Sequence, residues 1–386
     1  MHIVSKLPHT GTTIFTVMSG LATRHGAVNL SQGFPDFNPS ERLRQLVCDA
    51  MMQGHNQYAP MPGLPALRSA IAHKVASLYG VELDPDAEIT ITAGGTQAIF
   101  SAIMAFVHPG DEVILLEPCY DSYRPSVEAA GGVPVVYTLM APDFAIDWTA
   151  LAKLITPRTR MICINTPSNP TGTILREEDM RALEQLVADS SILVMSDEVY
   201  EHLIYDGAAH ASVLRYPHLR SRSLAIYSFG KTCHCTGWKV GYCIAPPALT
   251  TEFRKIHQFN VFSVHHPVQA ALAEFLKEPE EYMGLPAFYQ EKRDFFARLL
   301  RDTPFKPLPC LGTYFQLCDY SAVSQEPELD FCKRLTTEGG VATIPVSAFY
   351  SDGRNQRLIR ICFAKTQGVL EEAAARLVQA TEKLRL

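Results

Sequence analysis

From about residue 89, short β-rich runs alternate with longer segments of helical periodicity, and this alternation constrains the fold more than any other feature. EITITAGG predicts a strand and a turn, and the segment after it places Ile99, Ile103 and Phe106 on one helical stripe. Because the predicted strands are continuously apolar, we expect a mainly parallel sheet covered on both faces, which is a three-layer α/β domain. Further strands are predicted in DEVILLEP, VPVVYTL, RMICINTP, ILVMSDEVY, SLAIYSF and VGYCIAP.

The C-terminal part of the chain has a different pattern of predicted helices and strands. It contains a charged helical stretch, EKRDFFARLLRD, then short strands such as TYFQLCD and LIRICFA, and then a closing helix. We interpret it as a smaller α+β domain that the N-terminal segment joins. The predicted boundaries are 1–45 for the N-terminal segment, 46–283 for the large domain and 284–386 for the small domain.

Composition excludes several partner classes. The chain has 386 residues, of which 47% are apolar and 19% charged, as in soluble globular proteins. Its net charge is −6 and it has no basic run, so we expect neither nucleic acid nor an anionic membrane surface as a partner. No stretch approaches the ~20 apolar residues that span a bilayer, and the N-terminus lacks the apolar core of a signal peptide. We therefore expect a cytoplasmic enzyme.

The ten cysteines are scattered, and many lie in apolar runs, as Cys163 and Cys243 do. This pattern favours reduced, buried thiols over a disulfide framework. The run Cys233-His234-Cys235 offers three soft ligands, but no second cluster completes a zinc site, and the same holds for His265 and His266. We expect no metal.

Polar segments follow five of the predicted strands directly, namely AGGTQ, EPCYDSY, NTPSNPTG, SDEVYE and SFGK. In an open parallel sheet, ligands bind outside the carboxyl ends of the strands, because loops open and helix N-termini point there. Each segment alone is compatible with an ordinary turn or loop. Together they predict a single ligand-binding rim.

The segment SFGKT ends like a nucleotide-binding P-loop, so Lys231 has two interpretations. A P-loop needs another glycine five positions before Gly230, and Ala225 stands there inside a predicted strand. The alternative is chemistry by Lys231 itself, because burial at a strand end disfavours the ammonium form and frees the amine to attack an aldehyde.

Two further features of the rim point to a cofactor. The glycines of AGGTQ would let backbone amides approach a phosphate at a helix N-terminus. Asp197 ends an apolar strand with no arginine beside it, so a cationic partner such as a protonated ring nitrogen is expected. A lysine, an aspartate and a phosphate seat together suggest pyridoxal 5'-phosphate. The predicted seat comprises Gly95, Thr96, Gln97, Ser228 and Lys239.

Long motifs across nearly the whole chain resemble the fold-type I pyridoxal-phosphate enzymes, aminotransferase class I. They are LSQGFPDF, NQYAPMPGLPALR, AGGTQA, NTPSNPTG, SDEVYEHLIYDG, SFGKTCHCTGWKVGY and LIRICFAK, in that order. The sequence is most similar to the glutamine/kynurenine and methionine aminotransferase branch. That branch commonly carries a lysine at the position of Lys239, where many class I members have arginine.

The resemblance implies a role for each matching residue. Lys231 would form the Schiff base with the cofactor and shuttle the substrate α-proton. Asp197 would keep the pyridine nitrogen protonated, while Tyr200 and Asn169 would bind the ring oxygen. Tyr120 would stack on the pyridine ring.

The resemblance also implies how substrate is bound and how the active unit is assembled. Arg360 would grip the substrate α-carboxylate through two parallel hydrogen bonds, with Gly33 and Asn169 beside it. Tyr58 would reach the phosphate of a neighbouring subunit, which implies a homodimer. The run Cys233-His234-Cys235 has no role in the family that we can assign, and we expect it to be buried packing.

Three functions remain open at this point. The favoured one is a transaminase that moves an amino group to a 2-oxo acid by a ping-pong mechanism; a cysteine-S-conjugate β-lyase would share Lys231, Asp197 and Arg360 but expel a leaving group. A non-catalytic binding protein is disfavoured, because Lys231 is present and no DNA-binding segment is appended. No arginine can be assigned to a second substrate carboxylate. We therefore expect a neutral, sulfur-containing or aromatic amino acid, such as methionine, glutamine, phenylalanine, tyrosine or kynurenine.

Overall fold

The computed structural model describes residues 3–384, in which thirteen strands are formed. Each predicted strand of the large domain is present, and six of the seven are buried along their whole length or nearly so. The exception is the strand in VPVVYTL, which lies at an edge of the sheet and is only partly buried. The strands are β1 (Val28–Asn29), β2 (Ile89–Thr92), β3 (Glu112–Glu117), β4 (Val133–Thr138), β5 (Thr159–Asn165), β6 (Leu193–Asp197), β7 (Ser223–Ser228), β8 (Gly241–Ile244), β9 (Lys306–Pro307), β10 (Phe315–Asp319), β11 (Val341–Ala342), β12 (Ile344–Pro345) and β13 (Leu358–Cys362).

Fifteen α-helices occupy the same described part of the chain. Local chemistry sets several of their ends, as in the first helix, where the Thr13 side chain caps the start and Gly26 closes the end at φ 59°. Across residues 3–384, no helix combines the length and the apolar character needed to cross a membrane. The helices are α1 (Ile14–His25), α2 (Glu41–Met52), α3 (Pro65–Tyr79), α4 (Gly94–Phe106), α5 (Tyr123–Ala129), α6 (Trp148–Ala152), α7 (Glu177–Val187), α8 (Pro217–Arg220), α9 (Phe229–Thr232), α10 (Pro247–Asn260), α11 (His266–Phe275), α12 (Glu280–Met283), α13 (Leu285–Leu300), α14 (Glu328–Thr337) and α15 (Gln367–Leu384).

A seven-stranded sheet with the order β2-β8-β7-β6-β5-β3-β4 forms the centre of the large domain. Its strands β7, β6, β5, β3 and β4 pair in parallel, whereas β8 runs antiparallel to both β2 and β7. The predicted α/β class with a mainly parallel sheet is confirmed. Because β8 is antiparallel to both of its neighbours, β2 points the same way as the five parallel strands, and the polar segments after β2, β3, β5, β6 and β7 emerge at one edge of the sheet.

The C-terminal part folds around a four-stranded antiparallel sheet in the order β12-β13-β10-β9. The strand β13 lies inside this sheet, between β12 and β10, and all five of its residues are buried. Near the N-terminus, β1 pairs in parallel with β11, joining Val28 to Val341 and Asn29 to Ala342. The N-terminal segment therefore packs on the C-terminal part, although the exact boundaries given above stay predictions.

Candidate active site

The polar segments converge on one cavity at the carboxyl ends of the parallel strands. The centre of a water molecule can occupy about 150 Å³ of this cavity. Nine residues singled out from sequence line it, which is the outcome expected if the strand ends form one rim. The lining residues are Gly94, Gly95, Thr96, Ile99, Tyr120, Asn165, Asn169, Asp197, Val199, Tyr200, Ser228, Gly230, Lys231, Thr236, Lys239 and Val240.

Lys231 lies on α9, directly after the buried strand β7. Its Nζ donates to the hydroxyl of Tyr314 at 3.0 Å and lies 3.4 Å from the carbonyl oxygen of Gly33. Burial, together with the nearby cations Lys239 and Arg360, lowers the pKa of the Lys231 ammonium to about 8. The amine is therefore far more available as a nucleophile or base near neutral pH than an exposed lysine.

Asp197 is the last residue of β6 and is buried. Its Oδ2 accepts a 2.6 Å hydrogen bond from the hydroxyl of Tyr123, and its Oδ1 accepts from the backbone N–H of Val199 at 3.4 Å. Burial raises the pKa of the Asp197 carboxyl to about 6, against the two hydrogen bonds and the charge of Lys231, which lower it. No lysine or arginine in the described part of the chain forms an ion pair with it.

The N-terminus of α4 and two side chains form a seat for an anion. The helix begins at Gly94, whose φ is +80°, and no side chain caps it, so first-turn amides remain available. A Cβ at Gly94 would lie 3.5 Å from Lys239 Nζ, which places that ammonium at the helix start. Ser228 lines the same part of the cavity. Backbone amides, a hydroxyl and a cation together suit a phosphate.

The predicted contribution of Gln97 to the phosphate seat stays a prediction, and the structure limits it to the backbone. Gln97 does not line the cavity, because its side chain is turned inward. Its Oε1 accepts from the N–H of Ala93 at 3.0 Å, and its Nε2 donates to Ser101 Oγ at 2.7 Å and lies 3.2 Å from His257 Nδ1. The side chain thus connects the first turn of α4 with the helix α10. Only the backbone of Gln97 is left to contribute to an anion seat.

Two tyrosines and an asparagine form the walls of the cavity. The hydroxyl of Tyr120 lies 3.0 Å from Thr96 Oγ1, which fixes the ring over the start of α4. The ring of Tyr200 packs edge-on against Tyr314, with centroids 5.2 Å apart, and burial raises the pKa of its hydroxyl. The backbone N–H of Asn169 donates to Asn165 Oδ1 at 2.7 Å. These contacts restrict each side chain before any ligand binds.

Arg360 lies on β13, is 1% exposed and has no carboxylate partner in the described part of the chain. Its Nη1 donates to Asn169 Oδ1 at 2.7 Å and its Nη2 donates to the carbonyl of Ser31 at 3.1 Å. The guanidinium carbon lies 3.9 Å from the centroid of the Phe315 ring. Burial lowers the pKa of Arg360 to about 10, so the group stays charged at neutral pH. A buried cation without a paired anion is costly, so an anionic ligand that reached Arg360 would be bound favourably.

Four residues predicted for the site do not line the cavity, namely Gln97 and Arg360, described above, and Gly33 and Tyr58. Gly33 does not line the cavity, but its carbonyl accepts from Tyr314 and lies near Lys231. Tyr58 is 80% exposed and contacts Phe262 edge-on, with ring centroids 5.4 Å apart. It therefore makes no contribution to the cavity of its own chain.

The run Cys233-His234-Cys235 is packed behind α9. Both thiols are buried, and the His234 ring packs edge-on against Phe37 and Tyr289. Burial lowers the pKa of His234 to about 4, so the ring is neutral. Between residues 3 and 384, no group of three or more histidine, cysteine or acidic side chains could hold a metal ion.

Sequence reasoning missed several contacts at the site. Tyr123 bonds Asp197, Tyr314 bonds Lys231, and Asn165 and Thr236 line the cavity. Tyr123 follows Tyr120 by three residues in the rim segment EPCYDSY, so its position after a strand end was a usable signal. Tyr314 lies 83 residues from Lys231, in a stretch that reads as an ordinary strand, and carried no such signal.

The residues present fit pyridoxal 5'-phosphate. The amine of Lys231 can bond an aldehyde, and the buried Asp197 carboxylate can hold a protonated ring nitrogen. The α4 N-terminus with Ser228 and Lys239 can take the phosphate. The residues that would perform these three functions line the same cavity, as a single cofactor requires.

Comparisons with known proteins agree with this geometry. The family model for aminotransferase class I and II matches residues 26–377. The methionine aminotransferase of Escherichia coli strain K12 is 51% identical over 376 residues, which cover 97% of each chain. Human kynurenine–oxoglutarate transaminase 1 is 34% identical and covers 91% of this chain and 92% of its own.

Solved structures show the same similarity. The crystal structure of an Escherichia coli protein with a methionine aminotransferase function superposes with a TM-score of 0.96, covering 98% of this chain and 100% of that one. The predicted resemblance to the methionine and kynurenine aminotransferases is confirmed. The chain belongs to the aminotransferase class I and II family and is a fold-type I, pyridoxal-phosphate-dependent aminotransferase.

Proposed function

We propose that the enzyme transfers the α-amino group of an L-amino acid with a neutral, sulfur-containing or aromatic side chain to a 2-oxo acid. Methionine, glutamine, phenylalanine and kynurenine are the expected types of donor. The observation that carries this proposal is the buried guanidinium of Arg360, which lacks a carboxylate partner among the described residues. It suits the one carboxylate that every amino acid has, and each substrate in turn would occupy the same place in a ping-pong cycle.

The absence of a second suitable cation supports a neutral side chain. The cations that line the cavity, within the described part of the chain, are Lys231 and Lys239. We assign both to the cofactor, so no cation remains for the second carboxylate of aspartate or glutamate. The 51% identity with an Escherichia coli methionine aminotransferase supports the same conclusion.

Lys231 is the residue that we assign to proton transfer. When bound, pyridoxal phosphate supplies an aldehyde and a ring that accepts electrons. The ε-amine of Lys231 would hold the cofactor and, once displaced by substrate, remove the proton from the substrate α-carbon. Its lowered pKa of about 8 makes the neutral, basic form accessible near physiological pH.

The other cavity residues hold and orient the cofactor in this proposal. Asp197 keeps a proton on the ring nitrogen, and Tyr200 and Asn169 bind the ring oxygen. Tyr120 stacks on the ring, a role that its contact with Thr96 supports. The seat formed by Gly95, Thr96, the backbone of Gln97, Ser228 and Lys239 takes the phosphate.

Arg360 orients the substrate. Its two outer nitrogens already donate to Asn169 and to Ser31, which fixes the plane of the guanidinium. A substrate carboxylate would accept hydrogen bonds from the same two nitrogens, either in place of Asn169 and Ser31 or together with them. This two-point contact would set the direction of the substrate α-carbon. The carbonyl oxygen of Gly33 accepts a hydrogen bond from Tyr314, which supports the assignment of Gly33 to the substrate region.

We further propose that the active unit is a homodimer in which Tyr58 reaches the phosphate of the neighbouring subunit. The high exposure of Tyr58 and its position outside its own cavity support this assignment. Tyr58→Phe should weaken cofactor binding in the dimer without changing its sedimentation; an unchanged affinity would refute the assignment. Ten free cysteines, nine of them buried, support a reducing compartment such as the cytoplasm.

A panel of amino acids tested by half-reaction provides the direct test of substrate class. Each donor is mixed with the loaded enzyme, and the loss of the cofactor absorbance band is followed together with the product. We expect methionine, glutamine and aromatic donors to react and to yield their 2-oxo acids, with aspartate and glutamate at least about tenfold slower. Release of pyruvate and ammonia from cysteine conjugates as the main reaction would instead identify a β-lyase.

A further inference from the structure

Among residues 3–384, the one side chain that donates a hydrogen bond to the Asp197 carboxylate is Tyr123. The hydroxyl of Tyr123 donates to Asp197 Oδ2 at 2.6 Å, while Oδ1 accepts only a longer bond from the Val199 N–H. Burial raises the pKa of Tyr123 well above its usual value, so its hydroxyl keeps the proton and acts as the donor. The orientation of the carboxylate plane therefore depends on this tyrosine.

Packing fixes the position of the Tyr123 hydroxyl. Tyr123 is the first residue of α5 and is 2% exposed. Its ring packs edge-on against Tyr120, with centroids 5.8 Å apart and planes at 83°. Tyr120 is tied in turn to Thr96 at the start of α4. Two tyrosines three residues apart thus connect the Asp197 side of the cavity with the phosphate seat.

The Tyr123 hydroxyl is held in place by its own ring, which a water molecule cannot imitate. Tyr123 borders a small second cavity, in which the centre of a water molecule can occupy about 30 Å³ and which has Asn165, Ser168 and Thr173 as polar members of its wall. A water molecule that entered after removal of the hydroxyl would be positioned only by such polar groups. Removal of the hydroxyl should therefore leave Asp197 Oδ2 without a donor that is fixed in position by packing.

We propose that Tyr123 is a positioning residue of this aminotransferase, which orients the Asp197 carboxylate and keeps it ionised for the ring nitrogen of the cofactor. The proposal rests on the proposed role of Asp197. Tyr123 touches neither substrate nor cofactor in this assignment. It acts through the carboxylate alone, so its effect should disappear when the carboxylate is removed.

The chain supplies a matched control. Tyr320 is 0% exposed, and its hydroxyl donates a 2.6 Å bond to the carbonyl of Glu326 in the C-terminal part, away from the cavity. Tyr123→Phe and Tyr320→Phe each delete one buried hydroxyl and one hydrogen bond and keep the ring. Because Tyr320 lies away from the cavity, an effect on catalysis that Tyr123→Phe shows and Tyr320→Phe lacks reports on Asp197 and not on the loss of a buried hydroxyl as such.

The experiment measures kcat, KM, the cofactor dissociation constant and the cofactor absorbance for both variants. Tyr123→Phe should lower kcat by about ten- to a hundredfold, the effect of a lost hydrogen bond to a charged group, with little change in KM for the amino acid. It should also weaken cofactor binding and alter the absorbance of the bound cofactor, whereas Tyr320→Phe should leave all four quantities unchanged.

A double-mutant cycle tests whether Tyr123 acts on catalysis through Asp197. In the Asp197→Asn background, Tyr123→Phe should change kcat by less than about threefold, because the carboxylate that it positions is gone. A wild-type kcat and spectrum in Tyr123→Phe, or an equal loss in both backgrounds, would overturn the proposal. Failure of the wild-type protein to bind the cofactor at Lys231 would instead refute the proposed function, so the two failures are distinguishable.

Discussion

Lys231 Nζ lies 3.0 Å from the hydroxyl of Tyr314, and that hydroxyl donates its own proton to the carbonyl of Gly33 at 2.6 Å. Because the hydroxyl proton is already used, Tyr314 can only accept from Lys231. The lysine of the large domain is thereby held by Tyr314, the residue just before β10 in the C-terminal part, and by Gly33 in the N-terminal segment. The catalytic amine is oriented by parts of the chain that are distant in sequence.

The rate at which the cofactor-free enzyme captures pyridoxal phosphate should depend on pH through Lys231. Burial lowers the pKa of this amine to about 8, and only the neutral amine attacks an aldehyde. We expect the capture rate constant to rise as the pH increases from 6 to 9, with a midpoint near 8. Stopped-flow absorbance measures it directly. A midpoint near 10, the value of an exposed lysine, would show that the amine is not desolvated.

Substitution of Arg360 should damage substrate binding and leave the cofactor in place. Arg360→Met removes the buried cation, and loss of one partner of a buried charge pair typically costs about 2–5 kcal/mol. We expect kcat/KM to fall at least about thirtyfold, with the absorbance of the bound cofactor unchanged. Arg354→Met, at the partly exposed Arg354 that pairs with Asp352, is the control. Loss of the cofactor band in Arg360→Met would mean that Arg360 supports the cofactor or the fold.

Asp197→Asn should lower activity and yet stabilise the cofactor-free protein. The pKa of Asp197 is raised from 3.8 to about 6, so the folded state binds the proton more tightly than the unfolded state. Stability is therefore lost as the pH rises from about 4 to about 6, and the ionised carboxylate remains unfavourable above that range. At pH 7.5 we expect the variant to gain about 1–3 kcal/mol in the free energy of unfolding.

Denaturant unfolding of the two cofactor-free proteins checks this prediction, and the gain should shrink at pH 5. Transaminase activity of the loaded Asp197→Asn enzyme should fall by at least about a hundredfold, because an amide does not hold the ring nitrogen protonated. An unfolding free energy equal to that of the wild type, together with a near-normal rate, would contradict both the environment and the role assigned to Asp197.

Lys239 should contribute charge to phosphate binding, and arginine should replace it. Lys239→Met removes a cation at the start of α4, so we expect the dissociation constant for pyridoxal phosphate to rise about tenfold or more. Lys239→Arg keeps the charge and should bind the cofactor within about threefold of the wild type. Equilibrium dialysis measures both, with Lys255→Met on the exposed face of α10 as control. Equal affinities for all variants would remove Lys239 from the phosphate seat.

Local sequence patterns were sufficient to predict the large sheet and the ligand-binding rim at the carboxyl ends of its strands. Continuous apolar runs predicted β5, β6 and β7, and the residues that follow them, such as Asp197 and Lys231, had to emerge at one edge of a parallel sheet. Contacts that depend on side-chain direction could not be predicted this way. The inward turn of Gln97, the hydroxyl of Tyr123 on Asp197 and that of Tyr314 on Lys231 are set by packing between segments 74 to 160 residues apart.

The central claim is that Lys231 bonds the cofactor. Borohydride reduction of the loaded enzyme, followed by proteolysis and mass spectrometry, tests it most directly. We predict that the reduced cofactor is attached to the peptide containing Lys231 and that Lys231→Ala, still able to bind pyridoxal phosphate without a covalent bond, gives no labelled peptide and no turnover. Label on another lysine, or turnover by Lys231→Ala at the wild-type rate, would contradict the account.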